Sequence, residues 1–275
     1  MNTEHDLVSK INLILDSLPL FIPEIILAGG MIFMLLSGLV LRRRIADIKI
    51  QYWLLGLTAI ILSASAAEAV FQWPLFNTPV FFFSGMLRSD NVSTYLKILF
   101  DTGGLLTIMM SVQRQPLKHL PEYLCLIIVI VLGAHILVVS ANFVMIFLSL
   151  ELISISSYVL TGFAFNRQGT EGSMKYFLFG SVASAIMLYG FSVLYGITGT
   201  LNFFSASFTA ALALDFSPLL FMASLMCLAG FFYKIAAVPM HPWAPDIYEA
   251  APMPVVAFFS VIPKLAGIGI LLQFT

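Results

Sequence analysis

Charge is scarce in this 275-residue sequence: Asp, Glu, Lys and Arg make up 10% of it, against roughly 25% in soluble domains. Hydrophobic residues make up 60%, and the mean hydropathy is +1.00. A water-soluble globular fold is excluded, and a polytopic membrane protein is implied. The net charge of -1 offers no basic footprint for nucleic acid and no acidic one for a basic partner. Cysteine is nearly absent, and Cys125 and Cys227 both lie in apolar runs, so small buried side chains are expected rather than a disulfide or a metal site. His5, His119, His135 and His241 have no metal-ligand spacing, and no glycine-rich phosphate loop follows a strand-like run. No cofactor or metal is therefore expected in this chain. Met1–Leu18 also lacks the charged, apolar and small-residue pattern of a cleaved signal, so insertion is expected to rely on the first transmembrane helix.

Long apolar runs are abundant. Segments of bilayer length fall at Leu20–Leu41, Tyr52–Phe71, Ser93–Val112, Glu122–Val139, Asn142–Phe163, Gly172–Ile197, Ser217–Val238 and Pro254–Leu272. The expected fold is an all-α polytopic transmembrane bundle of about eight helices. Asn202–Leu214 is shorter and serine-rich, and is expected at the interface or in a loop. Arg42, Arg43, Arg44, Lys49, Arg114, Lys118 and Arg167 fall in alternate connections, so placing those inside puts seven of the thirteen basic residues in the cytoplasm. Lys10, Arg88 and the N-terminus then lie on the outer face.

Four lysines, Lys97, Lys175, Lys234 and Lys264, fall within the predicted spans. A lysine at mid-bilayer costs roughly 3 kcal/mol, so such residues face a bundle interior or a water-filled path, and transport becomes the leading expectation. Lys234 and Lys264 flank a stretch containing Pro239, Pro242, Pro245, Pro252 and Pro254. Two plain spans would leave roughly fifteen residues of Ser217–Gln273 unused. With Trp243 and no basic residue, that remainder reads as a discontinuous seventh helix folded back into protein, the kind of element that marks ion sites in transporters. The alternative is a re-entrant loop with purely structural prolines.

Glu151 lies in the apolar run VMIFLSLELISISSYVL with no basic residue within a helical turn or two, so its partner must come from another helix. Lys97 and Asp101, and likewise Glu171 and Lys175, stand four residues apart and can neutralise one another locally. Ser154, Ser156, Ser157, Gly180, Ser181, Ala183 and Ser184 suit close helix packing, and some of them can hold water near Glu151. Desolvation disfavours a charged lysine while a nearby carboxylate favours it, so Lys234 is expected to hold its proton while paired with Glu151 and to pass it on when the pair separates, with Lys175, Lys234 and Lys264 as relay members joined by water.

The run FYKIAAVPMHPWAPDIYEAAPMPVVAFFSVIPKLAG resembles the signature of the antiporter-like membrane subunits of respiratory complex I. FIPEIILAGG, ANFVMIFLSLELISISSYVLTGF and EGSMKYFLFGSVASAIMLYGFSVLYGITGT extend the resemblance over essentially the whole chain. Leu150 stands where sister subunits usually carry tryptophan, which points to the N-type. The resemblance implies proton translocation, with Glu151 as the glutamate that tunes the broken-helix lysine, Lys234. It makes Lys175 the lysine at the start of helix six, Lys264 the lysine extending the path on helix eight, and His241 a residue that positions the break.

By the same resemblance, residues 1–19 form an outer-face segment, 20–112 carry helices one to three, and 113–275 carry helices four to eight as a first antiporter-like repeat. Family members have about fourteen helices in two inverted repeats, so the second repeat lies outside this sequence. NAD, FMN, iron–sulfur clusters and quinone are expected in partner subunits, the partners being the M-, K-, J-, A- and L-type subunits in a bacterial inner membrane. Two other readings share these residues: a subunit of a stand-alone cation/proton antiporter, and an architectural subunit whose lysines sit in closed ion pairs.

Overall fold

A computed structural model describes residues 11–41, 48–76, 78–112, 119–214 and 217–274. Arg42, Arg43, Arg44, Arg114, Lys118 and Lys10, which carried most of the orientation argument, lie outside the described residues.

Helices dominate because the apolar runs, Pro263 in the last of them apart, keep proline out of their interiors, and several begin at explicit capping signals. In chain order they are α1 (Ile22–Leu41), α2 (Ile48–Gln72), α3 (Asn91–Ser111), α4 (Leu120–Val138), α5 (Phe143–Thr161), α6 (Arg167–Thr198), α7 (Ala206–Leu214), α8 (Pro218–Ile235), α9 (Trp243–Ala250) and α10 (Met253–Leu272). Asn142, Asn166 and Ser217 each accept a hydrogen bond from a first-turn amide of α5, α6 and α8, supplying partners that helix starts otherwise lack. Gly199, at φ +68°, ends α6 in the left-handed conformation that costs glycine least. Asp90 and Ser93 form a reciprocal capping box on α3. Asp90→Ala is expected to cost about 1 kcal/mol, measured as a lower thermal unfolding midpoint of the detergent-solubilised chain.

The expected bundle is present, and the chain is a multi-pass membrane protein. Among the described residues, seven helical segments are long and apolar enough to cross a membrane: Ile11–Leu41, Ile48–Phe76, Leu120–Val138, Phe143–Thr161, Arg167–Thr198, Pro218–Ile235 and Met253–Leu272. The remaining bilayer-length helix, α3, has 21 residues but carries Lys97 and Asp101, both buried, and falls outside that set. Apolar side chains also cover the outside of the bundle, with Val40, Phe71, Leu106 and Met109 largely exposed, as a lipid-facing surface requires and an aqueous one disfavours.

The core is centred on α4, of whose 19 residues only Glu122, Leu126 and Ile136 are not buried. Helices α1, α2, α3, α5 and α10 pack around it, so this helix is apolar all round for the reason any enclosed helix is. At one end a two-stranded antiparallel hairpin, β1 (Val80–Phe82) and β2 (Leu87–Ser89), joins α2 to α3. Asn202 Nδ2 donates to Gly85 O at 2.9 Å, and Arg88 N donates to Val139 O at 2.7 Å. Those bonds tie the hairpin to the α4–α5 and α6–α7 connections.

The proline-rich stretch interrupts the helix as expected. Helix α8 stops one residue after Lys234, Ala236 adopts φ +56°, and the Val238–Pro239 peptide is cis. The short α9 follows, and Pro252 then leads into α10. Pro263 lies inside α10 and deprives the Phe259 carbonyl of its usual amide donor.

A buried lysine site at the interrupted helix

Lys234 occupies the last turn of α8 and is 8% exposed. Its Nζ donates to Ser154 Oγ on α5, and Ser154 in turn donates its own proton to the Leu150 carbonyl. The serine hydroxyl therefore offers the lysine a lone pair, which suits the charged ammonium, and has no free proton to exchange with it. Glu151 lies three residues before Ser154, on the same face of α5. Its Oε1 accepts a 2.5 Å hydrogen bond from Ser184 Oγ on α6.

The predicted partner of Glu151 does come from another helix, yet it is a serine. Glu151 and Lys234 form no direct ion pair; each is held by a hydroxyl, and the carboxylate is near enough for its charge to act on Lys234. A charged pair held slightly apart keeps a Coulombic interaction that small movements or an intervening water can modulate.

Aromatic packing fixes the interruption. Tyr176 of α6 stacks on Trp243 of α9 with centroids 4.7 Å apart and planes 9° apart. Trp243 Nε1 donates to Tyr233 O at 3.1 Å, and Tyr233 Oη donates to Tyr176 O at 3.2 Å. These bonds pair the buried Trp243 and Tyr233 side-chain donors, while Ala236 N and Ala237 N donate to the Tyr233 and Phe232 carbonyls at the end of α8, the condition under which irregular backbone is tolerated within a membrane protein. Gly190 lets α6 approach α8 closely: a Cβ there would lie 2.9 Å from the Ala223 carbonyl oxygen and the Cys227 amide nitrogen.

The other two predicted site lysines are placed differently. Lys264 is partly buried on α10, with its Nζ 5.3 Å from the centroid of the Tyr248 ring on α9, a cation–π distance. Lys175 is no buried lysine: its side chain is 44% exposed and bridges Glu171 at 3.0 Å and Asp246 at 3.2 Å. The expected Glu171–Lys175 pair is thus present, with a carboxylate from α9 added. No hydrogen bond or ion pair joins Lys175 or Lys264 to Glu151 or Lys234. His241 is exposed in the connection before α9.

A second polar centre lies among α1, α3 and α4. The local Lys97–Asp101 neutralisation expected from their spacing does not occur; Lys97 Nζ instead meets Glu24 Oε1 of α1 at 2.7 Å. His135 of α4 stands between the two acids, with Nδ1 3.7 Å from Glu24 and Nε2 3.5 Å from Asp101. Sequence reasoning overlooked Glu24 and His135. The signal applied to Glu151, an ionisable residue alone in an apolar run, was also present in FIPEIILAGG and in LIIVIVLGAHILVV.

Residues 140–275 match the family described as NADH:quinone oxidoreductase/Mrp antiporter, transmembrane. Subunit N of the NADH-quinone oxidoreductase of Chlorobium chlorochromatii (strain CaD3) is 35% identical over 263 residues, covering 94% of this chain and 50% of that protein. Subunit N from Anaeromyxobacter sp. (strain Fw109-5) is 37% identical, covering 92% of this chain and 50% of that protein. A chain of respiratory complex I from Thermus thermophilus superposes with a TM-score of 0.75 at 29% identity, over 91% of this chain and 52% of that one. The chain thus spans about half the length of the curated relatives it matches. With the interrupted helix and its buried lysine in the matched region, the chain belongs to the NADH:quinone oxidoreductase/Mrp antiporter family of transmembrane subunits, resembling the subunit N members over nearly all its length.

Proposed function

We propose that this chain is a proton-translocating membrane-arm subunit of an NADH:quinone oxidoreductase, with Glu151, Lys175, Lys234 and Lys264 as its proton-relay residues. The observation that carries this reading is Lys234: a buried ammonium at the end of an interrupted helix, held by a hydroxyl and near a carboxylate without being locked to it. A closed ion pair of the architectural kind would join Lys234 to an acid directly.

In this reading a proton held on Lys234 is stabilised while Glu151 is charged and near. When Glu151 is neutralised or moves away, desolvation favours its release. Because the Ser154 hydroxyl proton is committed to a backbone carbonyl, release runs through water rather than through Ser154. Lys264 then receives the proton beside Tyr248, and Lys175 serves the end of the path that opens between α6 and α9. Residues 113–275 act as a first antiporter-like repeat, after residues 20–112 with helices one to three and residues 1–19 on the outer face. The setting is a bacterial inner membrane. NADH oxidation and quinone reduction, with their FMN and iron–sulfur centres, belong to partner subunits of the M-, K-, J-, A- and L-type assembly.

The test is NADH-driven proton uptake by inverted vesicles holding the native complex with Glu151→Gln, electron transfer being recorded in parallel. Glutamine keeps an acceptor for Ser184 and removes the charge, so the complex assembles while pumping and coupled electron transfer fall together. Normal pumping at the normal ratio would overturn the role of Glu151. Lys175→Gln separates role from scaffold at an exposed position: unchanged unfolding temperature with reduced pumping is expected, and unchanged pumping would remove Lys175 from the path.

A further inference from the structure

Glu24, Lys97, Asp101 and His135 are each 0–1% exposed, on three helices, and none takes part in the lysine site at the interrupted helix. Burying four ionisable groups together is costly unless their charges cancel and their polar atoms are paired. The charges can cancel, but the pairing is incomplete. Lys97 and Glu24 meet at 2.7 Å and offset one another. Both Asp101 carboxylate oxygens and His135 Nδ1 lack a hydrogen-bond partner. His135 Nε2 lies 3.2 Å from the Lys97 carbonyl and 3.5 Å from Asp101 Oδ1, so the imidazole sits between acceptors on both sides.

We propose that these four side chains form a second proton-binding site, holding one exchangeable proton shared between the His135 imidazole and the Asp101 carboxyl group. The charge count supports this. With one proton on the pair, the cluster is neutral either as imidazolium with carboxylate or as imidazole with carboxylic acid. Without it a lone anion is buried, and with a second proton a lone cation is. Transfer breaks the N–H bond at His135 Nε2 as an O–H bond forms at Asp101 Oδ1, leaving neutral imidazole and neutral acid with no change in total charge. Closing the 3.5 Å gap to a normal hydrogen bond is the motion the transfer needs.

A metal ion is the wrong occupant, since Lys97 already supplies the cation beside Glu24. Among the described residues no group of three or more His, Cys, Asp or Glu is placed to hold one.

The charged groups on the elements packed around the cluster have other settings. Glu68 on α2 accepts from Gln72 at 3.2 Å, and Glu122 at the start of α4 faces His119 at 3.7 Å. Glu151 on α5 is held by Ser184, and Lys264 on α10 stands over Tyr248. Helix α10 packs on both α3 and α4, with Ile262 against Gly103 and Leu96 against Gly269. The second site therefore borders the helix that carries Lys264.

Infrared difference spectra of the full chain in lipid nanodiscs, titrated from acid to alkaline pH in H2O and D2O, test the proposal. An imidazole band and a carboxylic-acid band are expected to change with one shared midpoint and to shift in D2O. Asp101→Asn should abolish the carboxyl change and move the imidazole midpoint, while Lys234→Met leaves both in place, so this proposal and the relay reading fail separately. Independent midpoints, or a carboxylic-acid change that survives Asp101→Asn with the imidazole midpoint unmoved, would overturn it. Should Asp101→Asn not fold, Glu24→Gln combined with Lys97→Met removes one charge of each sign and keeps the His135–Asp101 pair. Loss of the coupled bands in that folded variant would overturn the proposal as well.

Discussion

Replacing Lys234 with methionine is expected to leave an assembled complex in which proton transfer through this subunit falls about 100-fold, the scale on which a positioned acid–base group contributes. The argument that assembly survives is local. Methionine fills a similar volume, and Ser154 keeps its own bond to the Leu150 carbonyl, so no polar group is stranded when the ammonium goes. Removing the ammonium relieves its desolvation cost, and no directly ion-paired acid is left behind, in contrast to Lys97. Glu151 retains its Ser184 hydrogen bond. NADH-driven proton uptake by inverted vesicles, with electron transfer measured beside it, reads the result. Pumping and coupled electron transfer fall together if Lys234 carries protons. Pumping at the normal ratio in an assembled complex would favour the architectural subunit instead.

The largest loss of stability is expected at Lys97. Lys97→Met leaves Glu24, 1% exposed, without its cation at 2.7 Å, and breaking a buried pair from one side costs about 3–5 kcal/mol. Glu24→Gln with Lys97→Met removes both charges and is expected to recover most of that loss. Thermal unfolding of the two single variants and the double variant forms a cycle whose coupling energy is the test. Additive effects would mean that Glu24 and Lys97 do not depend on one another. His135 and Asp101 share the same pocket, so the recovery should be incomplete rather than full.

The difference between Lys97 and Lys234 marks where sequence reasoning reached its limit. Both lysines were visible as charges in apolar helices. Spacing along one helix assigned Lys97 to Asp101, because four residues is one turn and neighbours on a helix face can meet. In the fold α1 supplies Glu24 to Lys97, while His135 comes between the acids from α4. Only packing of three helices separated in sequence could reveal that exchange. For Glu151 the reverse held: the absence of any local cation correctly sent its partner to another helix, though not to a lysine but to Ser184.

Lys175 shows the same limit in another form. Its place in a long apolar segment suggested burial, but α6 extends to 32 residues, more than a span requires, and its first turns carry Lys175 to an exposed position beside α9. Hydropathy averages over a window and cannot say which side of a helix a single residue occupies.

By itself the sequence determined the class and the spans of this protein. Apolar length, helix caps and prolines act over a turn or a bilayer thickness, and every one of the eight long helices and the break after Lys234 follows from such local constraints. Tertiary structure decided the electrostatics: which carboxylate meets Lys97, that a serine rather than Glu151 holds Lys234, and that His135 completes a second polar centre. The physical reason is that a buried charge takes its partner from whatever helix packs beside it, and Coulombic energy depends on distance in space, on which separation along the chain has no claim.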